Sequence, residues 1–145
     1  MKQLIVAAFD GSKPADSAVA TAVGLARQLG GELVVLNVQP NLKTRNVLRF
    51  FPVNEVAEYE RETGLSVLKK TQDVLESAGV SYRYAVVSGA PAEAICRYAE
   101  EAKARYIVMG TRGMGAVRSA VLGSVALGVL QQAPCPVVVV PEAVV

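Results

Sequence analysis

The chain contains no histidine. That absence removes the Ser-His-Asp triad, the Cys-His dyad and every zinc site that draws on imidazole. Cysteine is scarce as well: Cys96 and Cys135 cannot supply a four-thiolate site, and they form no C-x-x-C pair. One disulfide is arithmetically available, but so low a count fits a reduced, cytoplasmic protein. An excess of one charge is also missing. Lys and Arg total 15 and Asp and Glu total 13, a net charge of +2, so no global field draws the chain to nucleic acid or to an anionic membrane. Tyr59, Tyr82, Tyr84, Tyr98 and Tyr106 are scattered and make no stacking platform for single strands.

Long hydrophobic runs are equally lacking. The apolar run at residues 4–9 ends at Asp10, short of the roughly 7–15 residues of a secretory h-region, and no cleavage site follows. Residues 119–141 carry no charge, a length that could span a bilayer. Gly123, Gly128, Gln131, Gln132, Pro134, Pro136 and Pro141 interrupt that stretch, which reads as a short buried helix, a turn and a buried strand. Repeats and low-complexity segments are absent. So are the two familiar phosphate signatures, the G-x-x-x-x-G-K-[ST] loop and the G-x-G-x-x-G fingerprint.

What the sequence does have is alternation. Its 145 residues, 52% of them apolar, suit one domain over residues 1–145 with a large core. Residues 4–9 (LIVAAF) form a wholly apolar run, the mark of a strand buried on both faces. A turn at Asp10-Gly11-Ser12 leads into a helix with Pro14 in its first turn, an inner stripe of Ala15, Val19, Ala22, Ala26 and Leu29, and Gly30-Gly31 as its stop. Strand two lies within residues 32–38. Residues 39–52 show no period and read as a long loop carrying Lys43, Arg45 and Arg49. A helix capped by Asn54 is expected to run to Ala78, with Val67, Thr71, Val74 and Ala78 inward. Then follow strand three (82–87), a helix from Pro91 to Ala102, strand four (105–109), a glycine-rich stretch, a helix over 124–132 and strand five, Val137–Val140. Such β-α alternation specifies an α/β fold, an open parallel sheet with helices on both faces. Ligands of open parallel sheets bind beyond the carboxyl ends of the strands.

The residues just past the strands therefore matter most. Gly110-Thr111-Arg112-Gly113 follows strand four, and Gly123-Ser124 comes after nine more residues. Glycines let a ligand approach the backbone, and Gly123-Ser124 opens a helix whose free N–H groups and positive dipole end attract phosphate. Arg112 and Arg118 are nearby cations. Glycine at strand ends and serine at helix starts are also ordinary punctuation.

Asp10-Gly11-Ser12 after strand one, with G-x2-G-x9-G-[ST] after strand four, resembles the universal stress protein family over residues 2–141. The resemblance implies a Rossmann-like five-stranded sheet of order 3-2-1-4-5, with Asp10 and Gly110 flanking one crevice. It implies bound ATP. Gly113, Gly123 and Ser124 would hold the phosphates, with a backbone N–H from Val125. Val38 would contact adenine through its backbone, and Asp10 would face the ribose. Met109 and Gly110 would border the nucleoside pocket, and a divalent ion, Mg2+ or Mn2+, could join the phosphates. Ala8 stands where relatives often carry Pro or Val, and Arg112 occupies a variable position. The resemblance also implies a homodimer paired antiparallel through Val137–Val140. The alternative cover for that apolar edge is the chain's own Ala143, Val144 and Val145.

Asp10 has a second reading, as the cap of its own turn. Glu55, Glu58, Glu60 and Glu62 at helical spacing read as a solvated face. Cys96 reads as core, and Cys135, between two prolines, as more exposed with no adjacent cation. Taken together, the expectation is a cytoplasmic, ATP-binding stress-response protein. It would act as a dimeric regulatory switch read by a protein partner, with at most slow ATP hydrolysis and no nucleic-acid or membrane partner. The rival readings are an ATP-hydrolysing enzyme and an interaction module that ignores nucleotide.

Overall fold

The computed structural model describes residues 2–113 and 121–142. Its strands are β1 (Leu4–Ala8), β2 (Glu32–Gln39), β3 (Ser81–Ser88), β4 (Tyr106–Gly110) and β5 (Val137–Val140). They form one all-parallel sheet of order β3-β2-β1-β4-β5. β1 lies at its centre, with Val6 beside Val34 on one side and Ile107 on the other. Alternation along β1 divides the core. Ile5 and Ala7 face helices α1 (Lys13–Leu29), α3 (Val53–Leu68) and α4 (Gln72–Ala78), while Val6 faces α5 (Pro91–Glu101) and α6 (Ser124–Gln132). Burial on both faces explains why the strand shows no polar alternation.

Local chemistry sets the ends of α1. The Ser12 hydroxyl accepts the Ala15 N–H at 3.3 Å, Pro14 sits in the first turn, and Gly30 closes the helix at φ +62°. Its buried stripe is Ala15, Ala18, Val19, Ala22, Val23 and Ala26; Leu29, expected inward, is exposed. Val137–Val140 and the helix over 124–132 form as their sequence predicts.

Residues 39–52 are not one long loop. β2 runs on through Gln39, and α2 (Arg45–Leu48) forms a single turn capped by the Thr44 hydroxyl on the Val47 N–H. The predicted helix from Asn54 to Ala78 is also broken. α3 starts after Pro52, without a side-chain cap from Asn54, and a 3-10 turn at Lys69–Thr71 separates it from α4. The Thr71 hydroxyl donates to the Leu68 carbonyl at 2.7 Å, and the Gln72 N–H bonds Lys69 instead. Such side-chain competition for a backbone acceptor tightens a helix. The shift turns Val74 outward, 53% exposed, and Leu75 fully inward. The inner stripe of α3 is Val56, Glu60, Gly64 and Leu68. A Cβ on Gly64 would lie 2.5 Å from a Val86 methyl, so glycine sets how closely α3 approaches β3.

Glu60 corrects the reading of the acidic cluster: it is buried, 4% exposed. Its carboxylate accepts the Leu42 N–H at 2.8 Å and pairs with the Lys43 ammonium, which also reaches Ser88 Oγ at 3.3 Å. This pins the chain leaving β2 to α3. Burial pushes the Glu60 carboxyl up, but the Lys43 and Leu42 hydrogen bonds and the Lys43 charge outweigh it and hold the group below its ordinary value of 4.5. The pair therefore stabilises the fold above pH 4.5, and that stability is lost as pH falls through the lower folded value. Glu60→Gln is expected to cost about 2 kcal/mol at neutral pH in urea titrations. The gap to wild type should close on acidification below pH 4.5; a gap independent of pH would show that the charge is not what holds the segment.

Candidate functional site

Strand order reverses between β1 and β4. The chain leaves β1 toward α1 on one face of the sheet and leaves β4 toward α6 on the other. A cavity of about 510 Å³ opens there. Around it the fold gathers Ala8 and Asp10 from the end of β1, Val38 from β2, Met109 and Gly110 from β4, Arg112 and Gly113 beyond it, and Gly123, Ser124 and Val125 at the start of α6. Every site residue singled out in the sequence within the described stretches thus lines one space. Arg118 and the rest of residues 114–120 lie outside the described residues, as do residues 143–145, the alternative cover for β5.

Asp10 does cap its own turn, accepting the Ser12 N–H on Oδ1 at 2.9 Å. Its other oxygen turns toward Gly113, where a Cβ would lie 2.6 Å from Oδ2. Glycine at 113 therefore makes room for this carboxylate. Gly110 has a different reason from the one the sequence suggests. A Cβ there would meet Pro14 Cβ at 2.7 Å and Pro14 C at 2.8 Å, so this glycine admits the first turn of α1 rather than a ligand. The two halves of the glycine motif are joined directly, the Gly123 N–H donating to Thr111 O at 2.7 Å.

The helix starts at the cavity differ in their hydrogen bonding. The first turn of α1 is satisfied internally by Ser12. That of α6 has no side-chain cap, and the bond from the Leu127 N–H to Gly123 O at 3.0 Å closes its first turn. The N–H groups of Ser124 and Val125 precede that bond, at the dipole's positive end, on the cavity wall. Much of the remaining lining is apolar: Ala8, Leu36, Val38, Pro91, Ile95 and Met109. A cavity that combines an anion-attracting helix start with an apolar lining suits a ligand with an anionic group and an apolar body.

Pro91 and Ile95 escape the sequence reading. The signal was available, since Ser88-Gly89-Ala90-Pro91 also follows a strand. But β3 lies at the sheet edge, and α5 reaches the cavity by packing back over β2 and against α6. Ser12 is likewise on the wall, through the turn it shares with Asp10. Among the described residues no three Asp, Glu, Cys or His side chains gather to hold a metal. Cys96 and Cys135 are free thiols, and burial pushes both up in pKa. Arg105 does act on Cys135, a cation the sequence spacing hides, but too weakly to reverse the effect of burial.

Parallel sheets that open a cavity where strand order reverses form a broad class of α/β ligand-binding domains, and this fold falls within it. Within that class the chain belongs to the universal stress protein family, whose sequence profile it matches over residues 1–141. It is 37% identical over 141 residues to the universal stress protein in the QAH/OAS sulfhydrylase 3′ region of Thermus aquaticus, covering 97% of this chain and 99% of that one. The solved structure of hypothetical protein MJ0577 superposes with a TM-score of 0.82 at 26% identity, over 100% of this chain and 99% of that one. A universal stress protein in complex with cAMP superposes with a TM-score of 0.70 at 24% identity, over 98% of both chains. No helix among the described residues is long and apolar enough to cross a membrane.

The different surroundings of the glycines are separable by substitution. Gly110→Ala should lower stability by about 1–3 kcal/mol in urea unfolding, because its methyl meets the first turn of α1. Gly113→Ala meets only the end of a rotatable carboxylate and should cost less than about 1 kcal/mol. Equal losses would contradict the assignment of Gly110 to packing.

Proposed function

We propose that the cavity binds ATP and that the protein works as a dimeric, nucleotide-dependent regulatory switch in a cytoplasmic stress response. The observation that carries this reading is the uncapped start of α6 on the wall of a cavity at the sheet's switch point. The residues present fit the nucleotide. Phosphate oxygens would take the N–H groups of Ser124 and Val125 and the Ser124 hydroxyl, with Gly113 and Gly123 allowing close approach and Arg112 adding positive charge at the wall. Asp10 would face the ribose. Ala8, Val38 and Met109, with Gly110 at the border, would enclose the base. Family membership and the cAMP complex of a structural relative support an adenine nucleotide.

A divalent ion, Mg2+ or Mn2+, would take most of its ligands from phosphate and water, since no acidic cluster stands ready among the described residues. Phosphates held by Gly113 at one end and by Gly123 and Ser124 at the other would fix the ends of the intervening segment, and a protein partner would read that surface. The polar side chains described on the wall are Asp10, Ser12, Arg112 and Ser124. With no histidine in the chain, that set supports slow turnover at most. The dimer would pair through β5, whose four valines are half-buried and whose one partner strand among the described residues is β4.

Protein purified without added nucleotide, then denatured, should release a stoichiometric adenine nucleotide identifiable by mass spectrometry. In calorimetry, Ser124→Ala should weaken ATP binding about tenfold, the loss of one hydrogen bond to a charged group. Gly113→Val should weaken it further by displacing Asp10 into the cavity. Wild-type affinity in both variants would remove the site assignment. An ATP-independent dimer with no ATP binding at millimolar concentration would favour the interaction-module reading, and turnover well above about one per minute would favour the enzyme.

A further inference from the structure

The chain has three phenylalanines, and only Phe9 is in the core. Phe50 and Phe51 stand side by side on the surface, 78% and 55% exposed, with exposed Leu48 and Val53 on either side. Large aromatics left in water usually mark a contact surface.

The pair is held in place. The Phe50 and Phe51 N–H groups both donate to Val47 O, at 3.1 and 3.0 Å. Thr44 caps the α2 turn beneath them, and the Glu60 contacts to Leu42 and Lys43 anchor the approach to it. A backbone already ordered beneath the two rings spends less conformational entropy on binding than a free loop would.

Charge identifies the partner. From residue 40 to residue 54 there is no Asp or Glu, while Lys43, Arg45 and Arg49 are present. Glu60 neutralises Lys43. Arg45 and Arg49 are exposed, four residues apart, and neither forms an ion pair with a described residue. Phenylalanine beside two arginines matches the aromatic and arginine enrichment of protein–protein interfaces. Two free cations fall short of the four to eight that hold a protein to an anionic bilayer.

We propose that the α2–α3 junction is a docking site for an acidic amphipathic segment of a partner protein. Its apolar side chains cover Phe50, Phe51 and Leu48, and its carboxylates pair with Arg45 and Arg49. This surface lies outside the cavity and stands whether or not the nucleotide reading does.

The test is selection of a displayed random 16-residue peptide library on the full-length protein, followed by synthesis of the enriched peptides. The expected winners combine apolar residues at helical spacing with Asp or Glu. They should bind the Phe50→Ser/Phe51→Ser variant at least about tenfold more weakly, and likewise the Arg45→Glu/Arg49→Glu variant, whose own selection should turn to Lys and Arg peptides. All five side chains of the surface are exposed, so unchanged thermal midpoints and ATP calorimetry should accompany these losses. Enriched peptides without acids, or equal binding to the charge-reversed variant, would overturn the proposal. So would co-sedimentation with phosphatidylglycerol vesicles that Phe50→Ser/Phe51→Ser abolishes, which assigns the patch to lipid. A concentration-dependent dimer lost in the same variant would overturn it too, assigning the patch to a second copy of the chain.

Discussion

Everything at the switch point depends on how closely three backbone segments approach one another. The end of β4 runs against the first turn of α1 because Gly110 has no side chain, and the Asp10 carboxylate fits behind Gly113 for the same reason. The Gly123 N–H then ties the start of α6 to Thr111. Without these approaches α1 would lift away from β4, the Asp10 turn would shift, and the start of α6 would no longer face the cavity. The site is thus a by-product of tight helix-to-strand packing at the one place where the sheet reverses order.

Two helices begin at this crevice, and their hydrogen bonding differs in a way that matters. α1 satisfies its own first turn through Ser12, so its role is to carry Asp10 and to pack. α6 has glycine in place of a capping side chain, so its first N–H groups need an outside acceptor or water. Ordinary stability favours Ser, Thr, Asp or Asn at such a position. Glycine at 123 gives up that gain and leaves the N–H groups without a capping side chain from the N-cap residue.

Much of this was legible in the sequence, for identifiable reasons. β1 reads directly because burial on both faces demands an unbroken apolar run, and β5 because four valines permit little else. The cavity residues reads directly as well, since parallel topology places every strand's last residues at one end. What could not be read depended on contacts across the fold. The break between α3 and α4 comes from one hydroxyl taking the Leu68 carbonyl, and Thr71 in a helical pattern does not announce that choice. Glu60 sits among solvent-facing glutamates in sequence, and only its partners Leu42 and Lys43, 18 and 17 residues away, explain its burial. Pro91 and Ile95 reach the cavity by the lean of α5, a tertiary fact.

The central position of β1 also bears on how the chain is made. Val6 pairs with Val34 on one side, but on the other side its neighbour is Ile107. During synthesis β1 emerges before β2 and well before β4, so its second edge stays uncovered until β4 follows. Meanwhile β2 and β3 can pair along its first edge, and α1, α3 and α4 can gather on one face. Until β4 is made, the nascent chain therefore carries the unpaired backbone edge of an apolar strand, the kind of exposure that calls for a chaperone or for rapid completion.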